Sequence, residues 1–228
     1  GDNGGAVGYL VGQPHRGLMA MFTMMNNARQ GVGLQGLSLS SRSYMQAVPW
    51  AKERLQGTRS DGSRYPIIEF PDVRRLLMLM KSGTEAMRAL AYISSAEIDL
   101  RNYEKDPQKA ARHAARVELY TPIVKGWITE LAQELTSHGI QIYGGMGFVE
   151  ETGCAQHYRD ARITTIYEGT TAIQANDIVG RKTLANDGET LAELLSDIEA
   201  TANELKQQDG LADLGAALQT GVEAGSEA

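Results

Sequence analysis

A single cysteine, Cys154, stands in a chain of 228 residues. One thiol forms no intrachain disulfide, so a disulfide framework is excluded, and the usage fits a reducing, cytoplasmic compartment. No stretch approaches the roughly 18 consecutive apolar residues of a membrane span, and the opening GDNGGAVGYLVG lacks the basic n-region of a signal peptide. No block of lysine or arginine stands out against a net charge of −6. Nucleic-acid binding needs clustered positive charge, so no nucleic-acid partner is expected. An anionic cofactor is still allowed, because a few placed arginines and backbone amides suffice for one.

The ligands and nucleophiles of several enzyme classes are also missing. His15, His113, His138 and His157 show no metal-ligand spacing and no HExxH, so no metal site is expected. Cys154 has only His157 and Arg159 as basic neighbours in sequence and reads as structural rather than nucleophilic. There is no P-loop, and no GxGxxG after a clear strand. With 42% hydrophobic and 22% charged residues, the composition is that of an ordinary globular protein.

What is present is mainly helical between residues 15 and 222. A first long helix is expected over about 15–56, with Met21, Met24, Met25, Ala28, Val32, Leu39 and Met45 at helical spacing; the methionine-rich face reads as core. Pro49 is expected to disturb it. Residues 57–69 read as a loop. A second helix is expected over 71–104, and a third over 107–138. The third has Asp106 as N-cap, Pro107 at its first position and Gly139 just past its end. Pro122 lies inside it. A helix from about Thr170 to Leu184 follows, then a break at Asn186-Asp187-Gly188 and one or two further helices over 189–222. The fold expected is all-α, an antiparallel bundle of long helices with an appended helical tail. Val7, Tyr9 and Val11 alternate, too briefly to make a sheet alone. The chain reads as a fragment, with residues 1–14 the end of a preceding β domain or a linker, 15–184 the main helical domain and 185–228 the start of another.

Two segments hold the candidate chemistry. In Gln141-Ile142-Tyr143-Gly144-Gly145-Met146-Gly147, three glycines let a backbone approach a ligand, although a tight helix-ending loop would look the same. In Tyr167-Glu168-Gly169-Thr170, a carboxylate precedes a helix start, where it could equally be a charge on the helix dipole.

Taken together, in this order and spacing, the GGMG loop, Arg159-Asp160-Ala161-Arg162 and Tyr-Glu-Gly-Thr resemble the C-terminal signature of the acyl-CoA dehydrogenases. Asn26-Asn27-Ala28-Arg29 and Lys52-Glu53-Arg54 are similar to that family's first C-terminal-domain helix, so the likeness covers about 15–184. The opening segment, the long loop after Arg54 and the helical tail resemble the larger bacterial subgroup that includes 3-methylmercaptopropionyl-CoA dehydrogenase.

The resemblance implies an FAD enzyme of fatty acid metabolism that removes the α-proton of an acyl-CoA and passes the β-hydride to flavin. The product is a 2-enoyl-CoA, and the electrons go on to an electron-transfer flavoprotein. It implies Glu168 as the catalytic base. Ala28 stands where some relatives place the base and cannot serve as one. It implies Arg54, Gln141, Gly144, Gly145 and Thr170 as cofactor contacts, some from a neighbouring subunit, and hence a homodimer or dimer of dimers. Asn26, Arg29 and Gly169 fall at substrate-side positions. Asn26 replaces a frequent Asp, Gln56-Gly57 an aromatic-Gly pair, and Pro71 a frequent Gln. An acyl-CoA oxidase, a DNA-associated relative and a non-catalytic helical interaction domain are the alternatives on the same scaffold. The acidic charge argues against the second. These 228 residues lack the flavin's other wall, so the isolated chain is not expected to be active by itself.

Overall fold

The structure, a computed structural model, describes residues 4–227. Gly1, Asp2 and Asn3, which open the expected end of a β domain, and Ala228 at the other end lie outside the described residues. Val7, Tyr9 and Val11 are exposed and belong to no strand.

Helix α1 spans Gly17–Glu53, α2 Pro71–Tyr103 and α3 Pro107–Tyr143. A hairpin of β1 (Leu55–Thr58) and β2 (Arg64–Pro66) joins α1 to α2. The short α4 (Gly145–Phe148) and α5 (Cys154–Thr164) follow α3. Then come α6 (Thr171–Asp177), a π-helical turn over Ile178–Lys182, α7 (Glu189–Lys206) and α8 (Ala212–Glu227). The all-α expectation holds. Asp106 caps α3 by accepting the Gln108 N–H at 2.9 Å, with Pro107 at the first position, where its missing N–H is no loss.

The chain forms two compact units. One takes the chain up to Tyr92 with Val124–Thr171; the other takes Ile93–Ile123 with the chain from Ala172 onward. In the first unit α1 and α3 run side by side in the same direction, and α2 runs against both. Small residues make this possible. A Cβ on Gly33 would lie 2.5 Å from Val124 Cγ1, and one on Gly139 would lie 2.2 Å from Ser43 Oγ. Ser40 is fully buried and donates to the Gly36 carbonyl at 2.8 Å, satisfying its hydroxyl within its own helix. Met80, Met87, Val124, Ile128, Ala132 and Leu135 fill the space between the helices.

Several expectations are corrected here. The third helix does not end at Gly139 but continues to Tyr143. That glycine answers to the close passage of α1, and the helix stops at Gly144, which takes φ +64°. Residues 57–69 are not merely a loop. Asp61 accepts the Ser63 N–H at 2.8 Å, Gly62 takes φ +84°, and the turn closes a short antiparallel pair. Helix α1 runs through Pro49 unbroken; the proline and Met45 four residues before it are both exposed, so water can take the carbonyl that loses its partner. The methionine-rich face is not core in this chain, since Met21, Met24 and Met45 are 38%, 67% and 59% exposed. The helix buries Arg29, Val32, Gly33, Gly36, Leu37 and Ser40 instead, because α3 can come near only where side chains are small. Helix α5 was not anticipated.

In the second unit α7 packs on α8, where Gly215 lies against the Ala202 carbonyl and Val222 is buried. Asn186 and Asp187 take φ +51° and +54° at the expected break. His113 Nδ1 meets Glu97 at 2.6 Å, and Arg112 holds Glu193 at 2.8 Å.

Two glycines of α1 should therefore behave oppositely. Gly33→Ala forces its methyl into Val124 and is expected to destabilise by about 1–3 kcal/mol. Gly31→Ala, with nothing within 4 Å of the new methyl, should stabilise by about 0.5–1 kcal/mol. Urea unfolding midpoints of the two variants measure the contrast; equal midpoints would deny the close crossing.

Candidate active site

Helix α5 ends at Thr164, and the chain turns sharply before α6 starts at Thr171. The Ile166 and Tyr167 N–H groups both reach back to the Ile163 carbonyl, at 3.0 and 3.2 Å. The Thr171 N–H closes the turn on the Thr165 carbonyl at 3.2 Å. Between these bonds Glu168 and Gly169 both take left-handed backbone, φ +55° and +91°. Glycine adopts this freely; a glutamate does so at a cost of about 1–2 kcal/mol. Such strain collects at functional sites, where surrounding contacts enforce it.

Those contacts come from two helices. The Arg29 guanidinium, 3% exposed, donates from Nε to the Glu168 carbonyl at 3.2 Å and from Nη1 to Asn26 Oδ1 at 3.3 Å. Asn26 and Arg29 stand one turn apart on α1, a spacing that puts them on one face. From α3 the fully buried Lys125 donates through Nζ to the Gly169 carbonyl. Burial pushes the Lys125 ammonium down to about 8, aided by repulsion from Arg29 and opposed by the charges of Glu130 and Glu168. Thr171 Oγ1 donates to Glu130 Oε1 at 2.5 Å, and the Tyr167 hydroxyl donates to Gln35. Glu168 itself is half-buried, and Thr170 is exposed beside it.

A second cluster lies at the other end of α1. Trp50, Arg54, Gln56, Ile67, Tyr143 and the Gly144–Gly145 pair line a pocket of about 430 Å³. Trp50 stacks on Tyr143 with ring centroids 4.4 Å apart, and the Arg54 guanidinium lies 5.7 Å from the Trp50 ring. Gln141 sits exposed at the end of α3, its carbonyl accepting the Gly144 N–H at 3.1 Å. Beside both Gly144 and Gly145 the place of a Cβ is open.

The residues picked out in the sequence thus fall into two groups. Asn26, Arg29, Glu168 and Gly169 come together, with Thr170 next in the turn. Arg54, Gly144 and Gly145 come together, with Gln141 beside them. Arg29 and Glu53, the last residue of α1, are 24 residues apart, about 36 Å at the α-helical rise. Sequence reasoning missed Lys125, Glu130 and Gln35. A signal for Lys125 existed, because it stands at helical spacing with Thr121, Val124, Ile128 and Ala132, all of which are buried. Cys154 is 1% exposed and its thiol is pushed up to about 11 by burial, the state of a structural cysteine.

Residues 15–183 match the model of the acyl-CoA dehydrogenase C-terminal domain. The chain belongs to the acyl-CoA dehydrogenase family. It is 50% identical over 206 residues to the 3-methylmercaptopropionyl-CoA dehydrogenase of Ruegeria pomeroyi, covering 89% of this chain and 35% of that protein. To the broad-specificity linear acyl-CoA dehydrogenase FadE5 of Mycobacterium tuberculosis it is 37% identical over 201 residues, 85% of this chain and 33% of that one. Among solved structures, Caenorhabditis elegans ACDH-11 in complex with C11-CoA superposes with a TM-score of 0.74 at 22% identity. That match covers 84% of this chain and 31% of the other, and it shows the shared fold. Butyryl-CoA dehydrogenase from Megasphaera elsdenii superposes with a TM-score of 0.57 at 29% identity, over 74% of this chain and 39% of that one. The chain spans about a third of the length of the curated relatives it matches.

A left-handed glutamate has a measurable consequence. Glu168→Gly should raise the free energy of unfolding by about 1 kcal/mol, because glycine enters this region without strain, while removing the carboxylate. A lowered urea midpoint would mean that the turn stores no strain at Glu168.

Proposed function

We propose that this chain forms the C-terminal catalytic part of an FAD-dependent acyl-CoA dehydrogenase in which Glu168 is the base. The observation that carries the reading is the pinned turn. A half-buried carboxylate stands on strained backbone whose conformation is enforced by buried cations from two helices. A base must be held within hydrogen-bond reach of its proton, and such a turn provides that fixity.

The cofactor's chemistry suits the second cluster. A guanidinium beside a glycine pair that leaves its backbone open is a fitting surface for a pyrophosphate. Arg54, Gln141, Gly144 and Gly145 would hold that part of FAD, and Thr170 would stand near the flavin. FAD, when bound, supplies the acceptor for the β-hydride. Glu168 takes the α-proton, the electrons of that C–H bond become the new carbon–carbon double bond, and the 2-enoyl-CoA leaves. Asn26, half-buried, would face the path of the CoA thioester, while the buried Arg29, placed by its family position on the substrate side, would serve the reaction by holding the Glu168 carbonyl. Gly169 adds no side chain where the substrate approaches.

The distance of about 36 Å along α1 between Arg29 and the Arg54 end supports an assembly in which each cofactor draws on two subunits. A closed two-fold homodimer, or a dimer of two such dimers, satisfies this. An electron-transfer flavoprotein is the proposed electron acceptor, and the cytoplasm the proposed location. No helix among the described residues is long and apolar enough to cross a membrane. The division into a terminal segment at 1–14, a family domain at 15–184 and a further helical region from 185 belongs to the same proposal.

The test is Glu168→Gln in the whole enzyme. Glutamine keeps the shape, so FAD content and acyl-CoA affinity should be unchanged, while flavin bleaching on rapid mixing with substrate slows by about 10² to 10⁴. Bleaching at the wild-type rate would remove Glu168 from the mechanism.

A further inference from the structure

We propose that Lys125 is a positioning residue for this reaction: from α3 its side chain caps the Gly169 carbonyl and, with Arg29 on the Glu168 carbonyl, holds the left-handed pair that aims the Glu168 carboxylate. The inference rests on Glu168 being the base.

Two successive peptide carbonyls each meet a buried cation, and the cations come from different helices. Successive left-handed residues turn these carbonyls into the protein rather than to water. The contacts therefore stabilise the strained pair against relaxing to ordinary backbone, which would swing the carboxylate away. Lys125 adds a hold from a second helix, on the carbonyl of the glycine, whose backbone is the more permissive of the two.

A purely structural account of Lys125 is weak. It is fully buried between Val124 and Ile128 on a helix face that is otherwise apolar or hydroxyl-bearing. Burying a charge costs free energy unless it is paired and hydrogen-bonded. The ammonium is thus explained by what it holds, not by what it adds to the core.

The same burial makes the contact sensitive to pH. The groups facing Lys125 are Arg29 from α1, Glu130 from its own helix and Glu168 from the turn, and its ammonium loses a proton near pH 8. The neutral amine still donates, but a charge-assisted bond is roughly twice as strong as a neutral one. With rising pH the turn loosens and activity falls. Stability moves the other way: the folded state holds this proton less tightly than the unfolded chain, so from about pH 8 toward the ordinary lysine value of 10.5 folding is favoured as pH rises.

The experiment compares the wild-type holoenzyme with Lys125→Met, Lys125→Arg and Glu168→Gln, with flavin bleaching by acyl-CoA and kcat/KM measured across pH. Lys125→Met should slow bleaching by about 10- to 100-fold, the scale of a small misplacement of a reacting group. FAD content, substrate affinity and Tm should hold. The alkaline fall near pH 8 should vanish in this variant. Arginine stays charged at every working pH, so Lys125→Arg should recover rate and shift the fall upward. Wild-type bleaching in Lys125→Met, or a fall near pH 8 that survives in both variants, overturns the proposal. So does a loss of rate matched by a loss of Tm or FAD, which would make Lys125 structural only. Wild-type bleaching in Glu168→Gln would instead strike the base assignment.

Discussion

A methyl group placed on Gly33 would overlap Val124, and one on Gly139 would overlap Ser43. Helices α1 and α3 therefore pass at a separation that only small residues permit, and the first unit is organised around that passage. Arg29 lies one turn before Gly33 on α1, and Lys125 directly follows Val124 on α3. The crossing thus brings two cations to the same place, where the turn after α5 supplies two carbonyls. Widening the crossing by one methyl would displace the groups that hold Glu168 without touching Glu168 itself.

The arrangement sets stability against function. A glutamate in left-handed backbone and a lysine buried among apolar neighbours are each unfavourable by themselves. They tolerate one another because the lysine satisfies the carbonyl next to the strained residue. The close packing of α1, α2 and α3 supplies the favourable burial that makes both possible. Hydroxyl groups inside this core add little cost, since Ser40, Thr129 and Thr136 bond back to their own helices.

The length of α1 matters as much as its packing. One long helix carries Asn26 and Arg29 near its start and delivers Arg54 just past its end. A rod of about 36 Å sets the Glu168 turn apart from the cluster of Arg54, Gly144 and Gly145.

Local rules were legible in the sequence. Asp106-Pro107 starts a helix, Asn186-Asp187-Gly188 breaks one, and the long helical periods survive two internal prolines. The signature residues could be picked out because their order and spacing along the chain are themselves the signal. Gly139 was misread because a glycine that ends a helix and a glycine that admits a neighbouring helix look alike until the neighbour is in place. Met21 and Met24 were misread because helical spacing tells which residues share a face but not which face is covered. Lys125 was passed over for a different reason: its spacing places it on the buried side, yet its contact with Gly169 spans 44 residues. By itself, then, the sequence determined how several helices start and break and which residues match the family's signature, since these depend on neighbours a few positions away. Which cations meet the Glu168 turn, and that Glu168 must stand in left-handed backbone, only the tertiary structure decided. Both follow from how closely two helices distant in sequence can pack.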